Sequence, residues 1–405
     1  MTETAFKFRI VFATTSRSEY FQMRPLIFKM MEAPDFEPSV LVGGAHLSDD
    51  HGRTLAAIEA DDVPIAGRLE TLVPGDAKLD AAISASRTTA EFARALDRLR
   101  PDWLFVFGDR YEHLALALAA RCLSIAIAHI HGGEITEGSE DERFRHAITK
   151  LSDLHFVSTE VYAARIRQMG EMPDRVRTVG ATFVELVKQT EKLDRPNLAK
   201  SLDHALPSPL ALIAYHPCLD DGATHGDVMR NLLEAVAPHT ASMVISGPNQ
   251  DPGYKAVEEA ARSFLPSHPT ACYFPQLGSQ RFQSLLDQAD VMVGNSSAAL
   301  HEAAYYGLPV VNAGSRQRGR LMARHVVNCD ATRQGIEGAV KQALSSEFRN
   351  GLIGMGMPFG DGESSQRIID TLRMCGAEFQ RSVSKQFMDT KAVQDAVSDW
   401  GHLYG

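Results

Sequence analysis

The sequence is poor in aromatic residues, 7% of 405 positions. No window approaches the roughly 18 uninterrupted apolar residues that a membrane-crossing helix needs, so no membrane partner is expected. Its five cysteines, at 122, 218, 272, 329 and 375, are odd in number, widely spaced and without a C-x-x-C pair. A disulfide framework or zinc knuckle is therefore not expected, and a reducing cytoplasm fits. Basic residues are also in deficit: 41 Lys+Arg against 51 Asp+Glu leave a net charge of -10. That balance offers no global positive field to release phosphate counterions and argues against a nucleic-acid partner. A small anionic ligand would need a local cluster of arginines or backbone donors. The opening MTETAFKFRIVFATTSRSE lacks the basic start and long apolar run of a signal peptide. What is present is an ordinary globular composition, 44% hydrophobic and 23% charged, which excludes disorder and collagen-like repeats.

The length exceeds one ordinary core; at about 100–200 residues per domain it predicts two or three. Short apolar, β-branched runs alternate with helix-patterned stretches. In the first half the runs are Phe8–Ala13, Val40–Val42, Trp103–Phe107, Ile125–Ile130, Leu154–Val157 and Val176–Val179. Helical patterns include Ala77–Leu99 and His113–Leu123. Glu191–Pro209 breaks the rhythm with polar residues and three prolines, and reads as a connection. Six more runs follow: Leu210–Tyr215, Met243–Ser246, Cys272–Phe274, Val291–Val293, Val310–Asn312 and Val326–Asn328. The tail is helical in pattern at Ser365–Met374 and Ser382–Tyr404. Apolar strands alternating with helices mean parallel sheets covered on both faces. The expected fold class is α/β: two doubly wound domains facing a cleft. The first would take residues 1–190, the connection 191–209, the second domain 210–362 and the terminal helices 363–405.

In such sheets ligands lie beyond the carboxyl ends of strands, which makes the residues at those ends the candidates. Thr14–Tyr20 is a small polar turn feeding a helix, with Arg17 as a fixed positive fork for an anion; the same residues suit a plain capped helix. Asp109 emerges from the apolar run WLFVF at a low-dielectric mouth where a carboxyl can be tuned for proton transfer, and equally could cap the next helix. His129 and His131 should share a strand face. With Glu134 they hint at a metal, but no third ligand cluster supports one. Gly132-Gly133 reads as close backbone approach to a ligand, with Glu134 pointing into the cleft. Asp141 and Arg145, like Glu142 and His146, are four apart on one helix face, although Ser139 to Glu142 also spells a capping box. Asp109, Glu134, Asp141 and Glu142 together are more carboxylate than a structural site usually gathers.

In the second half, His216 follows the first strand. Val291–Glu302 reads as strand, polar turn at Asn295, Ser296 and Ser297, then helix, an anion site of amides, hydroxyls and helix dipole. Arg316, Arg318 and Arg320, at alternate positions, supply the local clamp an acidic protein needs. Ser246–Gly253, with Asn249, is turn chemistry first and ligand contact second.

The segments SRSEYFQMRPL, FGDRYE, HIHGGEITEGSEDERFRHAITKLSDLHFVST, GPNQDPG and GNSSAALHEAAYYGLPVVNAGSRQRGR together resemble the hydrolysing UDP-N-acetylglucosamine 2-epimerases, in particular the sialic- and legionaminic-acid branch. The resemblance runs from about Phe8 to about Leu344. It implies a glycosyltransferase-B-like fold of two Rossmann-like domains, no metal or NAD cofactor, and usually a homodimer. It places Arg17, Asp109, Glu134 and Glu142, with Asp141 beside them, among cleft charges and acid/base carboxylates. His216, Ser296, Ser297, Glu302 and Arg316 fall where the family grips diphosphate and nucleotide; Asn249, Asn295 and Arg320 complete the candidate binding set. The implied reaction takes a UDP-linked 2-acetamido sugar to UDP and the free manno-configured sugar through a glycal. A non-hydrolysing epimerase or a glycosyltransferase are the alternatives on the same architecture. Three departures stand out: Asn295-Ser296-Ser297-Ala298-Ala299 replaces the usual three serines and glycine, Cys218-Leu219 replaces a threonine position, and Thr15-Ser16 precedes Arg17 where glycine-threonine is common. They leave the carboxylates intact and open the sugar's identity to a 2,4-diacetamido-trideoxy hexose.

Overall fold

The computed structural model describes residues 7–48, 54–75, 77–137, 139–218, 224–248, 253–380 and 385–404. These residues build two α/β units, one of Met1–Glu134, Glu140–Leu186 and Gly360–Gly405, the other of Ile135–Ser139 and Val187–Phe359.

The first unit holds a seven-stranded sheet of β1 (Phe8–Thr14), β2 (Phe36–Gly43), β3 (Ile65–Leu69), β4 (Trp103–Phe107), β5 (Ala126–Ile130), β6 (Leu154–Val157) and β7 (Val176–Thr178). All its pairs are parallel, in the order β3-β2-β1-β4-β5-β6-β7. The second unit has six parallel strands: β8 (Leu210–Ala214), β9 (Ser242–Ser246), β10 (Ala271–Phe274), β11 (Val291–Gly294), β12 (Val310–Ala313) and β13 (Val326–Cys329). Their order is β10-β9-β8-β11-β12-β13. Both are doubly wound sheets, each reversing direction once, between β1 and β4 and between β8 and β11. A crevice for ligands opens at such a reversal, beyond the carboxyl ends of the strands.

The strands form where apolar side chains can be buried on both faces. In β1, Ile10 and Phe12 join one hydrophobic cluster while Val11 and Ala13 join the other, the period of two expected of a strand. All five residues of β4 are buried. Each run expected from the sequence is a strand, its ends shifted by a few residues. The exception is β3, which the pattern missed: Ile65-Ala66-Gly67-Arg68-Leu69 is an edge strand, mostly half-exposed, with glycine and arginine in its middle. An edge strand needs apolar cover on one side at most, so its periodicity is weak.

Within Glu191–Pro209 a helix forms at Arg195–Leu202, capped by the Asp194 carboxylate on the Asn197 N–H at 2.9 Å. Its Leu198 and Leu202 are buried against Leu210, Leu212 and Leu285. Further on, the helix Ser364–Gln380 buries Ile368, Ile369 and Leu372 in the β1–β2 cluster of the first unit. The terminal helix expected from Ser382 begins instead at Lys391, and residues 385–390 carry no helix. The start of that expectation, 382–384, lies outside the described residues. The helix is delayed because Lys385 and Phe387 are anchored elsewhere. Lys385 Nζ donates to the carbonyls of Thr149, Lys150 and Ser152 (3.3, 2.9 and 2.6 Å) and lies 2.8 Å from the Glu171 carboxylate. Those carbonyls lie at the end of the helix Asp141–Leu151, where backbone acceptors run short of donors; the Thr149 carbonyl also accepts the Ser152 N–H at 3.2 Å. Phe387 lies under the Lys150 ammonium, 4.7 Å from ring centroid to Nζ. Lys385→Ala should therefore cost about 1.5–3 kcal/mol, read as a lower urea midpoint, with Lys385→Arg restoring part of it. An unchanged midpoint in Lys385→Ala would show that the strap contributes no stability.

Candidate functional site

In the first unit, the candidate carboxylates sit at the ends of β4 and β5 and on the helix Asp141–Leu151. The helix after β4 has Arg110 at its cap position with no side-chain cap bond, so Asp109 is not its cap. The Asp109 carboxylate pairs instead with Arg145. The S-x-x-E box fails likewise. The helix begins at Asp141, Glu140 holds the cap position in helical conformation without a side-chain bond, and Glu142 is engaged elsewhere. It accepts from Arg145 Nη1 at 2.8 Å, and its other oxygen is 2.9 Å from His146 Nε2.

Arg145 is thus the hub. Only 1% exposed, it pairs with Asp109 and Glu142 and donates to the Glu134 carbonyl at 3.1 Å. Burial opposes its charge, but Asp109, Glu134 and Glu142 outweigh burial and hold the guanidinium above its ordinary pKa. Asp141 and Arg145 share one helix as expected; Glu142, three residues before Arg145, pairs with it, and Asp141 acts electrostatically on Arg110.

Glu134 is 5% exposed, and its Oε1 lies 3.0 Å from His131 Nδ1. The Thr182 N–H donates to His131 Nε2 at 3.4 Å, so Nδ1 carries the hydrogen and donates it to Glu134. His131 and His129 do not share a strand face, because β5 stops at Ile130 and His131 turns to φ 65°. His129 is buried with Nε2 2.8 Å from the Gly108 carbonyl; burial pushes its pKa down to about 3, against the raising effect of that carbonyl. Gly133 is required by packing: at φ +77°, a Cβ there would lie 2.6 Å from the Tyr162 carbonyl oxygen. Arg17 is the first residue of the helix Arg17–Glu32, half-buried over the Phe21 ring, and burial lowers its pKa. Among the described residues, no group of three or more His, Cys, Asp or Glu is placed to hold a metal ion.

In the second unit, the reversal between β8 and β11 is clipped by Asn295. Its Oδ1 accepts from the His216 N–H at 2.7 Å and its Nδ2 donates to the His216 carbonyl at 2.8 Å. The Asn295 side chain therefore fixes the two strand ends. Its own carbonyl accepts from Arg316 Nη1 (3.1 Å) and Gln317 Nε2 (2.7 Å), which holds the arginine loop over this turn. His216 is 8% exposed; burial and then the Arg316 charge push its pKa down to about 3, so the ring is neutral near pH 7. Ser296 is buried at the start of a helix that fails to run on as expected. It breaks at His301 into Ser297–Leu300 and Glu302–Tyr306. A one-turn helix gathers little of the macrodipole, so this helix end offers less to an anion than the sequence pattern suggests. Arg320 is half-buried in the same loop, while Arg318 is exposed and gives its carbonyl to the Glu137 N–H at 3.3 Å. This loop borders a cavity of about 510 Å³ lined by Asn312, Gly314, Ser315, Asn328 and Asp330 among others. Glu302 bonds Gln283, whose amide oxygen accepts from the Tyr306 hydroxyl at 3.0 Å. Desolvation pushes the Glu302 carboxyl up to about 7, with the Gln283 bond pulling the other way. Asn249 lies outside the described residues.

So the structure brings Asp109, Glu134 and Glu142 to one buried arginine, and His216, Asn295 and Arg316 to one turn. Sequence reading missed the hub role of Arg145, the His131–Glu134 contact, and Gln283 and Gln317. The available signal for Arg145 was an arginine three residues after one acid in a run too acidic to stay unpaired.

The profile of the family described as UDP-N-acetylglucosamine 2-epimerase matches residues 29–373. A Campylobacter jejuni protein named GDP/UDP-N,N'-diacetylbacillosamine 2-epimerase (hydrolyzing) is 32% identical over 85% of this chain and 89% of its own. A Legionella pneumophila protein named UDP-N,N'-diacetylbacillosamine 2-epimerase (hydrolyzing) is 30% identical over 90% of this chain and 95% of its own. Among solved structures, the Neisseria meningitidis UDP-GlcNAc 2-epimerase bound to UDP-GlcNAc superposes with a TM-score of 0.79 at 19% identity, covering 91% of this chain and 100% of that one. That likeness establishes a shared fold, glycosyltransferase-B-like with two Rossmann-like units. Together with the profile and the two sequence relatives, it means that this chain belongs to the UDP-N-acetylglucosamine 2-epimerase family.

Proposed function

We propose that the protein is a hydrolysing nucleotide-sugar 2-epimerase. It converts a UDP-linked 2-acetamido sugar, UDP-N-acetylglucosamine or a 2,4-diacetamido-trideoxy relative, to UDP and the free manno-configured sugar. The observation that carries this reading is the gathering of Asp109, Glu142 and Glu134 around Arg145. The similarity to two relatives named as hydrolysing 2-epimerases supports the hydrolytic outcome and the diacetamido sugar. On the family resemblance the protein works as a cytoplasmic homodimer; among the described residues no helix is long and apolar enough to cross a membrane.

The chemistry explains why several acids are needed. Carbon 2 of the sugar is not beside a carbonyl, so its proton is very weakly acidic. A carboxylate removes it only as the anomeric carbon–oxygen bond breaks and UDP departs with the bonding electrons. Ser296, Ser297 and Arg316 suit the departing diphosphate. Water then adds to carbon 1 of the glycal while an acid protonates carbon 2 from the opposite face. Two proton transfers on opposite faces call for at least two carboxyl groups in different environments. Glu134, held by the His131 imidazole, and the Asp109/Glu142 pair, held by a guanidinium, differ in that way.

The test is proton and phosphorus NMR in deuterated water with UDP-N-acetylglucosamine and, separately, UDP-N,N'-diacetylbacillosamine. Free UDP and a manno-configured sugar deuterated at carbon 2 are expected from at least one. A product still joined to UDP would mean a non-hydrolysing epimerase, and no reaction with either would overturn the assignment.

Glu302 adds a pH dependence. A carboxylate repels a diphosphate, so its natural partners in a nucleotide-sugar are hydroxyl groups. These are accepted by the ionised form, which binding must favour over the protonated form that burial favours. Affinity for UDP-N-acetylglucosamine, whose diphosphate diester does not titrate near neutrality, should rise about tenfold from pH 6 to 8. His216 stays neutral over that range and adds nothing to the slope. Calorimetric titrations should show the rise in the wild type and a flat profile in Glu302→Gln.

A further inference from the structure

The β1–β4 reversal of the first unit is crossed by a pair of buried ionisable groups that the reaction as described does not use. Glu19, 4% exposed, lies in the first turn of the helix after β1 and folds back onto the turn before it. One carboxylate oxygen accepts from the Thr15 N–H (2.8 Å), the Ser16 N–H (2.9 Å) and the Thr15 hydroxyl (3.2 Å). The same oxygen is 3.2 Å from Nε2 of His113, a fully buried residue on the helix after β4. The other ring nitrogen, Nδ1, meets the carbonyl of Phe107, the last residue of β4.

The surroundings of this pair favour its charged form. His113 Nδ1 meets a carbonyl, and Nε2 lies 3.2 Å from a carboxylate without hydrogen-bond geometry, so Glu19 acts on the ring through its charge. The proton cannot be moved to Glu19 at low cost, because two backbone N–H groups and a hydroxyl already converge on its oxygen, an arrangement that favours the carboxylate. Burial opposes a charge on the ring, but Glu19, Glu112 and the Phe107 carbonyl outweigh it and raise the His113 pKa, which favours the imidazolium. Glu112 and Arg110 also face the pair: Arg110 bonds Glu112 at 3.1 Å and lies 3.9 Å from Glu19. His46, bonded to the Thr14 hydroxyl at 2.9 Å, and His129 stay neutral beside it, because burial pushes their pKa values down to about 4 and about 3.

We propose that Glu19 and the imidazolium of His113 are positioning residues, a charged staple across the β1–β4 reversal that sets Arg17 and Asp109 in register. Arg17 is two residues before Glu19 and follows the turn that Glu19 ties down. Asp109 is two residues after the carbonyl that His113 holds. The second unit closes its own reversal with neutral groups, Asn295 on the His216 backbone. The first unit uses a charge pair instead, which couples the two turns more stiffly than a neutral bond in a dry site. What Arg17 and Asp109 do chemically rests on the epimerase reading; the staple itself does not.

Two measurements on the full chain decide it. Nitrogen-15 NMR of histidine-labelled protein should show both nitrogens of His113 protonated at pH 7.5, and Glu19→Gln, which keeps an acceptor oxygen but not the charge, should abolish that signature. A His113 with one protonated nitrogen at pH 7.5 would overturn the proposal. In kinetics, Glu19→Gln should lower kcat/KM about 10²-fold, through both KM and kcat, as expected of misplaced groups. In the Arg17→Ala background the KM part should vanish while the kcat part remains; effects that simply add would mean a general loss of stability and sink the staple. A wild type that turned over no nucleotide-sugar would defeat the reaction assignment, and the NMR would still judge the ion pair.

Discussion

Glu134→Gln should bind nucleotide-sugar within about threefold of the wild type and turn it over about 10³-fold more slowly, the scale of a lost general acid or base. The structure makes this substitution unusually clean. Glutamine keeps an acceptor for the hydrogen on His131 Nδ1, so the 3.0 Å contact survives with the amide oxygen in place of Oε1. Arg145 reaches residue 134 through its backbone carbonyl, so that hydrogen bond and the pairs with Asp109 and Glu142 survive the change. Burial is unchanged, and neither a cavity nor an unpaired charge is made. What is lost is the ability to take or give a proton, together with one of the three acids that favour the Arg145 charge. Arg316→Ala should do the reverse, weakening affinity with a smaller change in kcat, because its guanidinium lies over the Asn295 turn and not among the acids. The check is steady-state UDP release beside equilibrium titration of UDP-N-acetylglucosamine. Normal turnover by Glu134→Gln would remove Glu134 from the acid/base set.

The strands that carry these residues were legible because both faces of each are buried. WLFVF can be little else than a central parallel strand, and whatever follows it emerges at the crevice end. The same logic failed for β3, whose exposed edge imposes no pattern. Local rules misled at Ser139–Glu142. The spelling of a capping box describes what neighbouring residues can do for each other, and Glu142 is instead claimed by a guanidinium whose other partner, Asp109, is 36 residues away. Likewise, Gly133 announced freedom of the backbone without saying which neighbour required it, here the Tyr162 carbonyl. The break at His301 was hidden because Ser297–Tyr306 is helical in composition throughout. At Glu142 and Gly133 the missing information was a tertiary partner, which spacing along the chain does not encode.

Arg145→Met is expected to be the most damaging single change in the first unit. In the native chain the guanidinium neutralises two carboxylates that are each about a quarter exposed, Asp109 at 25% and Glu142 at 23%, and satisfies the Glu134 carbonyl. Methionine fills the space but leaves the two acids facing each other and the carbonyl without its donor. Removing one partner of a buried ion-pair cluster costs about 3–5 kcal/mol, and turnover should fall below detection because all three candidate acids lose their common reference point. Lysine is not a substitute, since a single ammonium cannot reach Asp109, Glu142 and the Glu134 carbonyl in the fixed fork that arginine provides. Arg145→Lys should regain part of the stability and stay about 10²-fold slow. The electrostatic origin of the loss has a signature in urea unfolding. Protonating either acid relieves their repulsion in Arg145→Met, so that variant should gain stability as pH falls from 7 to 5. Arg145→Met combined with Asp109→Asn should recover the unfolding midpoint without recovering turnover. If the double variant were no more stable than Arg145→Met alone, packing rather than charge would be the main work of Arg145, and the carboxylates would owe their placement to the backbone.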